Sequence, residues 1–358
     1  WGIAVTETMT EAEAATIVLK QAEKYSELLA QWREAVSKGP MERAADIQSN
    51  PSIGRFCGLS SSMMSLMQLT GEAHLVAGDT EAAWADWQTM KNSLDRLAEL
   101  RPGNGRMDSR MFELAYTGVR TCSWTDEQLS EISSVVSRED ALTATRRDIE
   151  QEKERTVEYY TNFDEYGKDF AKDFLKTPSP INQMFNQAKL KLITEQQIQD
   201  NMELKLHEID QRLSRFDPET GYYIRPTAEE QADAGESRET NGPLGSFYFM
   251  LKNLNGGVMD PDSTAAMVIC EQSRYDHVRI AAALEMQQRA TGGYPASLDA
   301  VRGRIPGGMP RDIATGQPYL YQRNPDGGYT LWGTGIDGTS EGGSPESDVT
   351  WTQGPRRK

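Results

Sequence analysis

The sequence predicts a mainly α-helical protein that ends in a small α+β module. Three observations lead to this fold class. Apolar residues recur at steps of three and four over most of the first 290 residues, which is the period of an amphipathic helix. Two capping boxes mark helix starts within this part of the chain. After residue 318 the period gives way to short aromatic runs separated by glycine-rich turns, which is typical of an antiparallel sheet. The expected architecture is a solenoid-like helical-hairpin region, followed by a long helix packed on a short sheet.

Length and charge limit the classes of function. The chain has 358 residues, which favours two or three domains. Its net charge of −16 disfavours a nucleic-acid backbone or an anionic membrane surface as partner. No run of 18 apolar residues predicts a membrane-spanning helix. The three cysteines lack the spacing of a zinc site.

The first predicted helix begins at a capping box, Thr10 to Glu13. From there one helical face carries apolar residues at steps of three and four: Val18, Ala22, Tyr25, Leu29, Trp32 and Val36. Gly39 and Pro40 end the helix.

A helix pair is predicted over residues 58–100, with its turn at Gly78 to Thr80. The segment from Ala73 to Trp84 resembles one tetratricopeptide-type (TPR-like) unit. Arrays of such units repeat every 34 residues, and no second copy follows at that period. The segment therefore indicates a single helical hairpin.

The middle of the chain continues as helix, with a second capping box at Thr125 to Gln128. An aromatic stripe then follows at helical spacing: Tyr159, Phe163, Tyr166, Phe170 and Phe174. Burial of this stripe in a helical seam is the favoured interpretation. The alternative is an exposed aromatic groove, in which neighbouring carboxyl groups would give a hydrolase its acid and base.

A further helix is predicted over residues 181–216, then a polar surface loop over 225–243, and then a last helix over 263–290. His277 lies on the apolar face of that last helix and is expected to be a hydrogen-bonded core histidine. We predict three regions: a helical region with the TPR-like hairpin (1–105), a helical region that ends in the polar loop (106–260) and an α+β module (261–358).

The α+β module contains a predicted hairpin. Tyr319–Arg323 and Tyr329–Trp332 form two aromatic runs around the turn Asn324–Gly328. A loop rich in glycine, serine and acidic residues follows over 333–348, and the run Val349 to Trp351 closes it.

Three pieces of this module resemble the C-terminal domain of the major pseudopilins of type II secretion. They are Gly293-Tyr294-Pro295, Gly316-Gln317-Pro318-Tyr319-Leu320-Tyr321 and Gly335-Ile336-Asp337-Gly338. The resemblance implies a calcium ion (Ca²⁺) in the last loop. It carries over Asp337 and Asp348 as the metal ligands, with Ser344 and Glu346 as further ligands. Flexible loops rich in oxygen suit this ion.

The chain also departs from the pseudopilin pattern. A large polar region precedes the module in place of one apolar helix, and Arg311-Asp312-Ile313 replaces the usual Asp-Pro turn. The whole chain loosely resembles bacterial envelope proteins in which a helical region precedes a pseudopilin-like module. This resemblance implies export, and with it a signal or membrane anchor upstream of Trp1.

These observations lead to one functional hypothesis and two alternatives. We expect a non-enzymatic, extracytoplasmic interaction or assembly protein, periplasmic or at the cell surface, with a protein partner in the envelope. The alternatives are a hydrolase acting on envelope or polysaccharide material and a calcium-dependent binding module. No zincin motif supports catalysis, because His207-Glu208 is followed by Gln211 where a second histidine is needed.

Overall fold

The computed structural model confirms a mainly helical fold with a small three-stranded antiparallel sheet near the C-terminus. It describes residues 9–38, 51–100, 109–135, 141–161, 195–219, 222–225, 227, 261–335, 337–344 and 348–354. The chain folds into two compact units, Trp1–Ala144 with Val268–Lys358, and Thr145–Met267. The first unit therefore combines residues from both ends of the chain. The three predicted regions stay predictions.

The described elements follow one another as α1 (Glu11–Ala22), a 3₁₀ turn (Glu23–Tyr25), α2 (Ser26–Ser37), α3 (Pro51–Ala77), α4 (Thr80–Leu100), α5 (Ser109–Arg120), α6 (Asp126–Ser134), α7 (Ala141–Thr161), α8 (Glu195–Leu213), α9 (Pro261–Thr291), a 3₁₀ helix (Leu298–Arg304), β1 (Leu320–Arg323), β2 (Tyr329–Gly333) and β3 (Val349–Gln353). None of the helices in the described ranges combines the length and apolar character that crossing a membrane requires.

Both predicted capping boxes are formed. Thr10 and Glu13 bond each other's backbone at the start of α1, and Thr125 and Gln128 do the same at α6. Each box satisfies N–H groups that a helix start otherwise leaves without a partner. The predicted first helix differs in one respect, because the 3₁₀ turn Glu23–Tyr25 divides it into α1 and α2.

An ion pair between a half-exposed arginine and a buried carboxylate ties α2 to the hairpin of α3 and α4. Asp86 on α4 is fully buried, and its Oδ1 lies 2.5 Å from Nη2 of Arg33 on α2. Its Oδ2 accepts a hydrogen bond of 2.7 Å from the Thr70 hydroxyl on α3. Trp32 adds a bond from its Nε1 to Ser93 Oγ at 3.0 Å. These buried polar contacts fix how α2 lies against α3 and α4.

The predicted helix pair α3–α4 is confirmed, and its turn uses a left-handed glycine. Gly78 has φ +80° and donates to the Leu75 carbonyl, while Asp79 donates to the His74 carbonyl. This bond pattern is the Schellman motif that commonly ends helices.

The same motif ends α5, but with cysteine in the left-handed position. Cys122 has φ +58°, its N–H donates to the Val119 carbonyl, and the next N–H, of Ser123, donates to the Gly118 carbonyl. A residue with a Cβ atom is strained there by roughly 1–2 kcal/mol. Glycine takes this conformation without the strain.

We therefore expect Cys122→Gly to raise the free energy of unfolding by about 1 kcal/mol. Denaturant unfolding followed by tryptophan fluorescence measures this value. Cys122→Ala is the control for loss of the thiol, and Gly78→Ala is the reciprocal change in the α3–α4 turn, expected to destabilise. A glycine variant no more stable than the alanine variant would contradict the prediction.

Close packing of α5 depends on Gly118. The Trp124 ring lies so near that a Cβ atom on Gly118 would be 2.0 Å from it. Trp124 also donates from Nε1 to the Ala115 carbonyl at 3.0 Å and meets the Trp84 ring edge-on at 5.5 Å. Trp84 in turn stacks on Trp87 at 4.5 Å. Trp87 and Trp124 belong to the core of the first unit, and Trp84 is partly buried against it.

The sheet has the order β1-β2-β3 and pairs antiparallel throughout. The predicted hairpin forms β1 and β2, with Leu320 opposite Trp332. The strand β3 is longer than the short closing run that the sequence indicated. Its Trp351 is buried and packs against Tyr116 of α5 at 4.3 Å, while Tyr275 of α9 packs against Phe112 of α5 at 4.3 Å. Sheet, α9 and α5 therefore share one core.

The second unit contains α8 and the part of α7 from residue 145 onward. Its described core includes Ile149, Ile209, Phe216 and Tyr223. The aromatic stripe of the hydrolase hypothesis lies outside the described residues, apart from the backbone of Tyr159 in α7. Most of the polar loop predicted over 225–243 also lies outside them.

Candidate functional site

The loop between β2 and β3 folds back over the face of the sheet that carries Trp332. The Trp332 indole Nε1 donates to Ser340 Oγ at 2.9 Å. A Cβ atom on Gly343 would lie 3.2 Å from the Trp332 ring, so the chain passes the indole closely at this glycine. Gly342 and Gly343 both have positive φ, at 77° and 81°. Two consecutive glycines thus let the loop turn sharply beside the sheet.

Asp348 is the buried carboxylate of this loop, and only 5% of it is exposed. Its Oδ2 accepts backbone hydrogen bonds from Gly343 at 2.8 Å and from Glu341 at 3.2 Å. Its Oδ1 is buried and has no hydrogen-bond partner among the described residues. A buried oxygen of a charged group that lacks a partner costs free energy. Asp348 therefore offers one buried oxygen to a ligand.

Asp337 and Glu341 meet at a single hydroxyl group. Asp337 is exposed, and its Oδ2 lies 2.9 Å from Thr339 Oγ1. Glu341 Oε1 lies 2.7 Å from the same Oγ1. A threonine hydroxyl has one hydrogen, so it donates to only one carboxylate at a time. The two carboxylates and the hydroxyl form a small group of oxygens that a cation or a proton would stabilise.

The structure places the four predicted ligands in different situations. Asp337 lies in the oxygen group with Glu341, and Asp348 binds the Glu341 backbone. Ser344 is half-buried, and its carbonyl accepts from the Asp348 N–H at 2.8 Å. Glu346 lies outside the described residues. Within the described ranges no three histidine, cysteine or acidic side chains are grouped so that they could hold a metal.

Glu341 is not among the ligands predicted from the sequence. A signal for it was present, because Asp337, Thr339 and Glu341 carry oxygens at alternate positions of one loop. Alternate positions also supply the first ligands of the EF-hand calcium loop.

A second group of polar residues lies inside the first unit, where α9 meets the C-terminal module. Asp276 is almost completely buried and accepts hydrogen bonds from the Tyr319 hydroxyl at 3.0 Å and from Gln272 Nε2 at 3.2 Å. Arg279 Nη1 lies 3.6 Å from its Oδ1. Burial raises the pKa of Asp276 to about 7, although the Arg279 charge acts in the opposite direction. The nearby Asp312 charge adds to the rise.

Arg279 connects this group to two other elements. Its Nε donates to the Ser133 carbonyl at the end of α6, at 3.2 Å, and its Nη2 donates to the Pro306 carbonyl at 2.9 Å. The Asp312 carboxylate stabilises the local fold. It accepts hydrogen bonds from the Ala314 N–H at 2.9 Å and from the N–H and hydroxyl groups of Thr334 at 2.8 Å each. The group therefore holds α6, α9 and the C-terminal module together.

His277 lies beside this group and is buried. It is 1% exposed, and its ring meets the Tyr319 ring edge-on at 4.9 Å. Its Nε2 is buried and makes no hydrogen bond with the described residues, which differs from the hydrogen-bonded histidine expected from the sequence. Burial lowers the pKa of His277 to about 3. This histidine is neutral over the physiological range.

Comparison with protein-family models, with curated proteins and with solved structures finds no match to this chain. The resemblance to pseudopilins therefore stays a prediction from the residues quoted above.

Proposed function

We propose that this chain is an extracytoplasmic interaction protein whose C-terminal module is stabilised by calcium bound in the loop 333–348. The observation that carries the metal proposal is the buried Oδ1 of Asp348, which has no hydrogen-bond partner within the described ranges. The role in the envelope, with a protein partner there, rests on the resemblance of the module and of the whole chain.

The residues of the loop fit the chemistry of calcium. This ion takes six to eight oxygens from carboxylates, carbonyls, hydroxyls and water in flexible geometry. Asp348 would contribute its buried Oδ1. The resemblance adds Asp337 as a second carboxylate ligand, and Ser344 and Glu346 as further ligands.

Calcium is therefore expected to stabilise the first unit. A ligand that binds only the folded state raises the free energy of unfolding by roughly 2.7 kcal/mol at a hundredfold excess over its dissociation constant. Thermal unfolding with excess calcium and then with a chelator measures the difference. All seven tryptophans lie in the first unit, and Trp332 contacts the loop through Ser340, so tryptophan fluorescence follows this unit.

Two variants make the calcium experiment specific. Asp348→Asn keeps an oxygen for the N–H groups of Glu341 and Gly343 but removes the charge, and it should abolish the calcium effect. Asp326→Asn changes a carboxylate of the hairpin turn, which accepts from the Gly328 N–H, and should leave the effect intact. A calcium effect that survives in Asp348→Asn, or no effect in metal-free natural protein, would overturn the metal proposal.

A titration of the metal-free protein with calcium gives the dissociation constant, which tests the predicted extracytoplasmic location. Extracellular calcium modules bind with dissociation constants of roughly 10⁻⁴–10⁻³ M, whereas cytosolic buffers bind near 10⁻⁹–10⁻⁸ M. We expect a value in the first range, because the loop contains few carboxylates and one of them, Asp337, is exposed. A value in the nanomolar range would count against an extracytoplasmic role while leaving the metal site itself supported.

A further inference from the structure

The strand β3 is connected to the sheet more weakly than the other two strands. The short turn Asn324–Gly328 joins β1 to β2, whereas β3 follows β2 only after the loop 334–348. In the order β1-β2-β3 it lies at an edge, and in the described part of the chain β2 is its only strand neighbour. An edge strand is bonded along one side, so it can open locally while the rest of the sheet stays formed.

The hairpin of β1 and β2 is held to the core by polar contacts at both of its arms. Tyr319, directly before β1, donates from its hydroxyl to the buried Asp276 of α9 at 3.0 Å. Thr334, directly after β2, donates from its N–H and its hydroxyl to the buried Asp312 at 2.8 Å each. The strand β1 also lies at an edge, but these bonds fix the hairpin to which it belongs.

Polar side chains at β3 are buried without full compensation. Oδ1 of Asp348, Nε1 of Trp351 and Oε1 of Gln353 make no hydrogen bond with the residues that the structure describes, and these residues are only 5%, 2% and 5% exposed. Trp351 Nε1 lies near the Tyr329 hydroxyl of β2, but the two groups do not reach the geometry of a hydrogen bond. Gln353 Nε2 donates to the Arg120 carbonyl of α5 at 3.2 Å. Opening of β3 would let water solvate the uncompensated atoms, which favours the open state.

We propose that β3 is a strap that opens separately from the hairpin of β1 and β2 and closes over α5. In the closed state Trp351 packs against the Tyr116 ring of α5, with 4.3 Å between the ring centroids. Opening uncovers this ring and one edge of β2. Asp348 directly precedes β3, so calcium bound there would hold the strap closed, and this part of the inference rests on the proposed function.

The hydrogen-bond pattern of the sheet gives the hairpin and the strap their own reporter amides. The Asn324 N–H donates to the Gly328 carbonyl, and bonded and non-bonded pairs alternate along an antiparallel ladder. Gln322 and Thr330 are therefore a bonded pair within the hairpin. The alternate residues of β2 face β3. The amides of β3 that bond to β2 are those of Val349, Trp351 and Gln353.

Hydrogen exchange of the natural protein in a chelator, resolved to single amides, tests the opening. After correction for intrinsic exchange rates, we expect the bonded amides of β3 to exchange roughly tenfold faster than those of the hairpin, because the strap opens without it. Equal protection of the two groups would overturn the proposal, since β3 would then open only together with the hairpin.

Two variants of α5 test whether the strap closes over this helix. Tyr116→Leu removes the ring that Trp351 contacts, and it should raise the exchange of the β3 amides roughly fivefold relative to those of the hairpin. The matched control is Phe112→Leu, which removes a ring that contacts Tyr275 of α9 and should leave the ratio unchanged. A Tyr116→Leu variant with the ratio of the natural chain would show that β3 does not close over α5.

The same measurement in calcium separates the strap from the metal proposal. At a hundredfold excess over the dissociation constant, calcium that binds only the closed state should slow the exchange of the β3 amides by up to about a hundredfold. Asp348→Asn should remove this effect, whereas Asp326→Asn in the hairpin turn should retain it. Fast exchange of β3 that calcium leaves unchanged would support the strap and overturn calcium binding at Asp348.

Discussion

Asp276→Asn is expected to make the stability of the first unit rise with pH, relative to the natural chain, by roughly 3 kcal/mol between pH 4 and pH 7. The reason is that Asp276 and its buried neighbour His277 make opposite contributions to the pH dependence of stability. Asp276 has a folded-state pKa of about 7, above its ordinary 3.8. The stability it contributes is therefore fully present below about pH 4 and is lost as the pH rises through 7.

His277 acts in the opposite direction. Its folded-state pKa of about 3 lies below the ordinary 6.5, so the unfolded chain binds more protons between these values. Above about pH 7, His277 does not lower the free energy of unfolding. As the pH falls, His277 lowers this free energy by an increasing amount. In the natural chain the folded state holds its proton on Asp276 and the unfolded state holds it on His277. The two contributions therefore largely cancel between pH 4 and pH 7, and Asp276→Asn removes one of them.

Urea unfolding at half-unit steps of pH measures this profile, with tryptophan fluorescence restricting the signal to the first unit. Asparagine has one oxygen, so it keeps an acceptor for only one of the two donors, Gln272 at Oδ1 or the Tyr319 hydroxyl at Oδ2. The control is Asp299→Asn, whose side chain is 78% exposed and pairs with Arg302. It should leave the profile parallel to that of the natural chain. A parallel profile for Asp276→Asn as well would show that this carboxyl group titrates normally.

His277→Phe is expected to have the reverse effect, a stability that falls by roughly 3 kcal/mol from pH 4 to pH 7 relative to the natural chain. Phenylalanine keeps an aromatic ring against Tyr319 and removes the buried Nε2. The loss of stability that Asp276 causes as the pH rises is then no longer offset by His277. Unfolding curves at pH 4, 5.5 and 7 are sufficient to measure the slope.

The control for the histidine variant is His207→Phe, at an exposed position of α8 in the second unit. It should not change the tryptophan-monitored profile. The double variant, Asp276→Asn with His277→Phe, should return to a flat difference from the natural chain. A double variant that keeps the slope of either single variant would mean that other groups carry the pH dependence.

Local signals in the sequence predicted the elements of this fold well. The boxes at Thr10 and Thr125, the turn at Gly78 and the hairpin turn at Asn324–Gly328 involve residues within a few positions of one another, and all are formed. The division of the first helix at Glu23–Tyr25 was not predicted, because the apolar period continues through it.

Contacts between distant parts of the chain could not be read in the same way. Arg279 bonds the Ser133 carbonyl 146 positions away, and a backbone carbonyl carries no signature in the sequence. The environment of His277 likewise depends on Tyr319, which arrives from the C-terminal module. In the candidate loop, Asp337 and Asp348 were selected by resemblance, but the role of Glu341 depends on how the loop folds against Trp332.

The composition of the first unit from both ends of the chain has a consequence for its biosynthesis. The ribosome releases α5 and α6 long before α9 and the sheet, since the 123 residues from 145 to 267 separate the two parts. At about 5–20 residues per second this delay lasts roughly 6–25 s. During that interval Tyr116 and Phe112 lack the aromatic rings, Trp351 and Tyr275, that cover them in the finished protein. The nascent chain thus has an apolar surface that stays uncovered until the second unit has been translated.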